Sequence, residues 1–132
     1  MIVADANLIA YFVIPGERTK EAERVRAKDK DWVVPSVFPH ELCNVLGNYI
    51  RRAGMPRDRA VRLYRRGLPV ATVRHLAADP ADVLRMVEQS GCSTYDLEYV
   101  WLAMKLGVRL VTTDKEVLDA YPDVAIRMGE FA

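Results

Sequence analysis

The sequence lacks the features that mark several classes of protein. It has only two cysteines, Cys43 and Cys92, which are far apart. They form neither a disulfide framework nor a zinc ligand set and are typical of a cytoplasmic protein. The longest early apolar run, Leu8 to Ile14, is too short to span a bilayer, and no basic segment precedes it as in a secretory signal. No Gly/Ser-rich or Pro-rich linker is present. We therefore expect one cytoplasmic domain over residues 1–132, with no membrane segment.

The sequence also has little excess charge, because 18 Asp and Glu residues balance 19 Lys and Arg residues. The net charge of +1 gives no general reason to expect a nucleic-acid partner. The distribution of the charges is uneven, however. Residues 51–78 contain eight arginines and one acid, whereas residues 79–132 contain ten acids and five bases. The sequence thus predicts a basic region and an acidic region on one domain.

Five arginines form the centre of the basic region, namely Arg51, Arg52, Arg59, Arg62 and Arg66. The last three lie on one face of a predicted helix. A solvated amphipathic face is the simplest explanation, but a single acid leaves these arginines few partners for ion pairs. Guanidinium groups bind phosphate well, so we expect the region to contact RNA or a protein partner.

Short apolar segments alternate with helical patterns along the chain. Apolar runs that predict strands cover residues 1–4, 32–34, 70–73, 109–112 and 124–126. Helical patterns occupy the intervals between them. This alternation predicts an α/β domain with a central, mainly parallel sheet of four to five strands and helices on both faces. Ligands bind beyond the carboxyl ends of the strands in such sheets.

Two aspartates follow predicted strands and should lie at that edge. Asp5 comes directly after the first strand, and Asp114 comes after the fourth. Each also precedes a predicted helix, and aspartate is a favoured residue at the N-terminal cap of a helix. Capping is the simpler explanation for either residue taken alone.

Asp96 lies on a predicted helix, residues 94–106, that is apolar on nearly every side. It shares a face with Val100 and Ala103, so its carboxylate needs hydrogen-bond donors, a cation or a metal as a partner. Ser93 precedes it by three residues, which is the spacing of a capping box. The two interpretations are compatible, and the pattern does not separate them.

Glu41 lies on a helix that we expect Ser36 to cap and that runs to about Arg52. Its face also holds Asn44 and Asn48. An exposed polar stripe is the ordinary explanation, unless the fold places that stripe against the edge of the sheet. In that case Asn44 would support the glutamate as a hydrogen-bond donor.

The chemistry of these acids follows from their oxygen ligands. Oxygen-only ligand sets select hard cations such as Mg²⁺ or Mn²⁺. Such an ion can lower the pKa of a bound water and stabilise charge at phosphorus. A phosphatase of the haloacid dehalogenase type needs a second carboxylate two residues after the first, whereas this chain has Asn7 there. A non-catalytic domain whose acids only cap helices remains an alternative.

Four motifs in order make the sequence similar to a PIN-domain ribonuclease, and most of all to the VapC toxins of prokaryotic toxin–antitoxin pairs. The motifs are strand-Asp5-x-Asn7, Glu41-Leu42-x-Asn44, Tyr95-Asp96 leading into Tyr99-Val100-Trp101-Leu102-Ala103, and Val111-Thr112-Thr113-Asp114. The resemblance covers essentially the whole chain and implies a three-layer PIN-like fold.

The resemblance also implies an activity, a site and partners. It implies a metal-dependent endoribonuclease that cleaves single-stranded or loop RNA, with Mg²⁺ or Mn²⁺ held by Asp5, Glu41, Asp96 and Asp114. Asn7, Asn44 and Thr112 match supporting positions, and Glu116 or Asp119 could replace or assist Asp114. The expected partners are a second copy of the chain and a small VapB-like antitoxin that blocks the site. The alternative within the family is a PIN nuclease of RNA processing that is not a toxin.

Overall fold

Five short strands and eight helices alternate along the chain, which a computed structural model describes over all residues, 1–132. The strands are β1 (Ile2–Ala4), β2 (Trp32–Pro35), β3 (Thr72–Arg74), β4 (Leu110–Val111) and β5 (Ala125–Ile126). The helices are α1 (Ala6–Val13), α2 (Thr19–Lys28), α3 (Phe38–Ala53), α4 (Arg57–Gly67), α5 (Pro80–Ser90), α6 (Thr94–Leu106), α7 (Lys115–Ala120) and α8 (Met128–Phe131).

The strands form one parallel sheet in the order β3-β2-β1-β4-β5. β1 lies in the centre, where Val3 pairs with Val33 of β2 on one side and with Leu110 of β4 on the other. The chain runs outward from β1 through β2 to β3 and then returns to β4. The order of the strands therefore reverses between β1 and β4, and this reversal leaves a crevice at the carboxyl ends of those two strands.

Helices cover both faces of the sheet, as the sequence predicts. α1 packs against α2, α3 and α4, whereas α6 packs against α5 and directly on β1 and β2. Every residue of β1 and β2 is buried, as expected for central strands covered on both sides. The core contains 34 buried residues. The prediction of an α/β fold with a parallel sheet and helices on both faces is confirmed.

Some local predictions were wrong. Ser36 does not cap α3, because the helix begins at Phe38 after Val37 and has no side-chain cap. Phe38 is 0% exposed, so burial of its ring anchors the start of the helix instead. The third strand begins two residues later than predicted, because residues 68–70 form a 3₁₀ turn. The sequence does not predict α8, because a helix of four residues is too short to show helical periodicity.

Neither cysteine forms a disulfide, since Cys43 is exposed and Cys92 is buried and both are free. No helix of the chain combines the length and the apolar character needed to cross a membrane.

Candidate active site

A cavity of about 250 Å³ lies at the carboxyl edge of the sheet, where the strand order reverses. Residues that follow β1 and β4 line it, together with residues of α3 and α6. All four acids of the predicted quartet contribute to the lining: Asp5, Glu41, Asp96 and Asp114. The fold thus brings together residues that are up to 109 positions apart in the sequence.

Asp5 is both a helix cap and a cavity residue. Its Oδ1 accepts a hydrogen bond from the backbone N of Leu8 at 2.7 Å, which caps α1. Its Oδ2 accepts from Thr112 Oγ1 at 2.5 Å and from the backbone N of Thr113 at 3.2 Å. Three donors therefore fix the carboxylate in one orientation between β1 and β4.

Asp114 also caps a helix, because its Oδ1 accepts from the backbone N of Glu116 at 2.9 Å and of Val117 at 3.4 Å. Its own backbone N donates to Thr112 Oγ1 at 3.0 Å. Thr112 is 2% exposed, and its hydroxyl thus joins the two aspartates as donor to one and acceptor from the other. None of these bonds uses Oδ2 of Asp114.

Asp96 and Glu41 enter the cavity from two different helices. Ser93 Oγ accepts from the backbone N of Asp96 at 3.2 Å, so one half of the predicted capping box forms. The reciprocal bond of the capping box, from the backbone N of Ser93 to the carboxylate of Asp96, does not form, and this carboxylate lines the cavity. Glu41, Asn44 and Asn48 line it together from α3. The polar stripe of α3 therefore lies against the sheet edge and is not simply a solvated face.

Burial and repulsion between carboxylates raise the pKa values of Asp5, Glu41 and Asp96. Burial, followed by repulsion from Asp96 and Asp5, raises the pKa of Glu41 to about 7. Burial is also the main cause of a raised pKa at Asp5, despite its three donors, and at Asp96, where Asp114 and Asp5 add repulsion. Because charged carboxylates share a desolvated cavity, its resting state without a cation is unfavourable.

Tyr99 is a cavity residue that sequence reasoning did not assign to the site. Its side chain is 2% exposed and its hydroxyl is buried without a hydrogen-bond partner. Burial, followed by the charge of the neighbouring Glu41, raises the pKa of the Tyr99 hydroxyl. Tyr99 follows Asp96 by three residues on α6, and this spacing was the signal that placed it on the same face.

Other predicted residues divide between the cavity and the surface. Asn7, Asn44 and Thr112 line the cavity. Glu116 and Asp119 line a separate surface depression and do not reach it. The five arginines of the basic region are exposed on α3 and α4 outside the cavity: Arg51, Arg52, Arg59, Arg62 and Arg66. Arg51 is linked to the cavity, because its guanidinium donates to the side-chain oxygen of Asn48, which lines the cavity.

The donor set fits a hard divalent cation. It consists of four carboxylates and neighbouring amide and hydroxyl oxygens, with no thiol or imidazole in the lining. No three acidic, histidine or cysteine side chains already stand in a geometry that would hold an ion. Side-chain rotation of the acids would therefore have to accompany binding, and neutralisation of their repulsion would favour it.

Known proteins are similar to this chain over nearly its whole length. The chain is 27% identical over 124 residues to Ribonuclease VapC3 of Pyrobaculum aerophilum, an alignment that spans 92% of this chain and 95% of that protein. The crystal structure of PAE2754 from the same organism superposes with a TM-score of 0.74 at 24% identity, covering 98% of this chain and 91% of the other.

A second similar structure is Mycobacterium tuberculosis VapC20, described as a sarcin-ricin loop cleaving toxin. It has a TM-score of 0.69 at 20% identity and covers 91% of this chain and 95% of its own. These two superpositions support the fold. The model of the PIN domain family matches residues 2–123. Because this match spans nearly the entire sheet and all four acids, the chain belongs to the PIN domain family.

Proposed function

We propose that this protein is a Mg²⁺- or Mn²⁺-dependent endoribonuclease that hydrolyses phosphodiester bonds of single-stranded or loop RNA. The observation that carries the proposal is the convergence of Asp5, Glu41, Asp96 and Asp114 on one cavity at the strand-order reversal. Membership of the PIN domain family and the relative named Ribonuclease VapC3 support it.

The four acids would hold the cation through carboxylate oxygens. A bound divalent ion would supply Lewis acidity, which lowers the pKa of a bound water and offsets charge on the phosphate. Asp5 is the most rigid of the acids, because three donors fix it and Thr112 ties it to Asp114. Asn44 and Asn48 present amide donors beside Glu41 and are suited to orienting phosphate oxygens. A water would then add to phosphorus while one P–O bond of the RNA backbone breaks.

The basic region would guide the RNA strand towards this site. Arg57–Asp58 is the only ion pair within it, so most of its arginines remain available. The link from Arg51 to Asn48 makes the region continuous with the cavity. Exposed guanidinium groups there would contact RNA phosphates, or the acidic side chains of a protein inhibitor on the same surface.

We further propose that the protein is the toxin of a toxin–antitoxin pair, that it acts in the cytoplasm as a single domain over residues 1–132, and that it forms a homodimer. A small VapB-like antitoxin would inhibit it by blocking the cavity. The VapC names of the relative and of one structural neighbour support this role.

The decisive experiment is Mn²⁺-dependent cleavage of RNA by the purified protein and by Asp5→Asn and Asp96→Asn. We expect each variant to lose at least about 100-fold in rate, which corresponds to several kcal/mol of transition-state stabilisation. Glu88→Gln is the control, because Glu88 is an exposed acid on α5 that does not line the cavity. If the two aspartate variants cut as fast as the control, the assignment of the cavity is wrong.

The toxin role has its own test. Expression of the chain should stop growth, and co-expression of a short open reading frame beside its gene should restore growth and suppress cleavage in vitro. A chain that cleaves RNA but leaves growth unchanged, without such a neighbouring frame, would instead be a PIN nuclease of RNA processing.

A further inference from the structure

A second cavity adjoins the acidic one on the outer side of α3. It has a volume of about 440 Å³ and is lined by Val37, His40, Glu41, Asn44 and Tyr95. Glu41 and Asn44 line both cavities, so the two are continuous. The second cavity falls within the range of small-ligand pockets, roughly 300–1,000 Å³.

Tyr95 is the unusual element of this second cavity. Its side chain is 62% exposed, the highest value among the large hydrophobic and aromatic residues of the chain. Tyr95 directly precedes Asp96 on the first turn of α6. Asp96 therefore lines the acidic cavity, whereas Tyr95 lines the second cavity. No core residue requires the ring there, and an exposed aromatic ring beside a polar site is suited to stacking.

We propose that the second cavity binds a nucleobase of the RNA next to the scissile phosphate. The base stacks on Tyr95, and its edge meets the exposed side chains of His40 and Asn44. This inference rests on the proposed ribonuclease function and adds a specificity site to it.

The chemistry of the lining favours a base over another phosphate. Glu41 forms one wall, and no arginine or lysine lines the cavity to bind a second phosphate group. The imidazole of His40 and the amide of Asn44 offer both donors and acceptors to a planar polar edge. Val37 adds apolar surface. A planar ring with a polar edge complements these groups, and the shared wall of Glu41 and Asn44 places it beside the acidic cavity.

The size of the effect follows from stacking. Base–aromatic stacking is worth about 1–3 kcal/mol per base, which corresponds to about 5- to 150-fold in binding or in kcat/KM. Tyr95→Ala should lose this factor on RNA, whereas Tyr95→Phe keeps the ring and should stay within about 2-fold of the parent. Leu84→Ala is the matched control, since Leu84 is 56% exposed on α5 and lines neither cavity.

The experiment uses an RNA oligonucleotide around a mapped cleavage site, with an abasic nucleotide placed in turn on each side of the scissile bond. In the parent, one of the two abasic substitutions should lower kcat/KM by the stacking factor. In Tyr95→Ala the same substitution should have little further effect, because the base and the ring act as one pair. Anisotropy with labelled RNA and the inactive Asp96→Asn protein should show the same coupling in affinity.

The outcomes separate this inference from the proposed function. Parent protein that does not cleave RNA overturns the ribonuclease assignment and, with it, the base site. If the parent cleaves RNA but removal of the base lowers kcat/KM as much in Tyr95→Ala as in the parent, the base site alone is overturned. Sedimentation should give the same oligomeric state for parent and Tyr95→Ala. Dissociation of a dimer by the alanine variant would make Tyr95 a contact between copies and also overturn the proposal.

Discussion

Replacement of Tyr99 by phenylalanine should stabilise the metal-free protein and lower its affinity for Mn²⁺. The Tyr99 hydroxyl is buried without a hydrogen-bond partner, and an unsatisfied buried polar group costs about 1–3 kcal/mol. The neighbouring Glu41 would become a charged acceptor on ligating a cation, so we expect the Tyr99 hydroxyl to donate to Glu41 in that state. Loss of such a supporting donor typically lowers metal affinity by about 10- to 100-fold.

Urea denaturation of the metal-free protein and calorimetric titration with Mn²⁺ measure the two effects separately. Tyr99→Phe should raise the free energy of unfolding by about 1 kcal/mol and lower Mn²⁺ affinity by about 10- to 100-fold. Tyr121→Phe is the matched control, since its hydroxyl is also buried without a partner but lies outside the acidic cavity. Equal Mn²⁺ affinity in the two variants would refute the reasoning, as would destabilisation of the metal-free protein by Tyr99→Phe.

Two further predictions concern the same cavity, and a third concerns the basic region. Thr112→Val, which removes the hydroxyl between two aspartates, should cost about 1.5–3 kcal/mol in urea denaturation, whereas Thr112→Ser should retain most of the stability. The pKa of Glu41 rises on folding from its ordinary 4.5 to about 7, so the folded state binds the proton more tightly. The contribution of Glu41 to the stability of the metal-free protein should therefore be fully present below about pH 4.5 and fall by about 1–2 kcal/mol as pH rises from there to about 7, after allowance for solvent screening. Saturating Mn²⁺ should remove most of that fall in thermal denaturation, and a flat profile without metal would contradict it. Replacing Arg59, Arg62 and Arg66 by Gln should reduce the slope of log K against log salt by about 2 for single-stranded RNA, and an unchanged slope would exclude this face as an RNA contact.

The sequence predicts which acids line the cavity better than it predicts the ends of helices and strands. Strand ends such as Asp5 and Asp114 are recognisable because the carboxyl edge of a parallel sheet collects whatever follows its strands. The sequence does not decide the role of the polar face of α3. Helical periodicity gives the angle of Glu41 around its own helix but not the position of that helix over the sheet. Neither Tyr99 nor Tyr95 is assigned to the site by the sequence, for a related reason. Burial of a hydroxyl and exposure of a ring are properties of packing between elements, which a single-sequence pattern does not contain.

The central position of β1 has a consequence for synthesis on the ribosome. The first strand to emerge pairs with β2 soon afterwards but waits for β4, which is made about a hundred residues later. Until then Asp5 lacks the hydroxyl of Thr112 and the amide of Thr113 that hold its carboxylate. Nascent chains that end before β4 thus carry three of the four acids without an assembled cavity. The four acids therefore come together in one cavity only after nearly the whole chain has been synthesised.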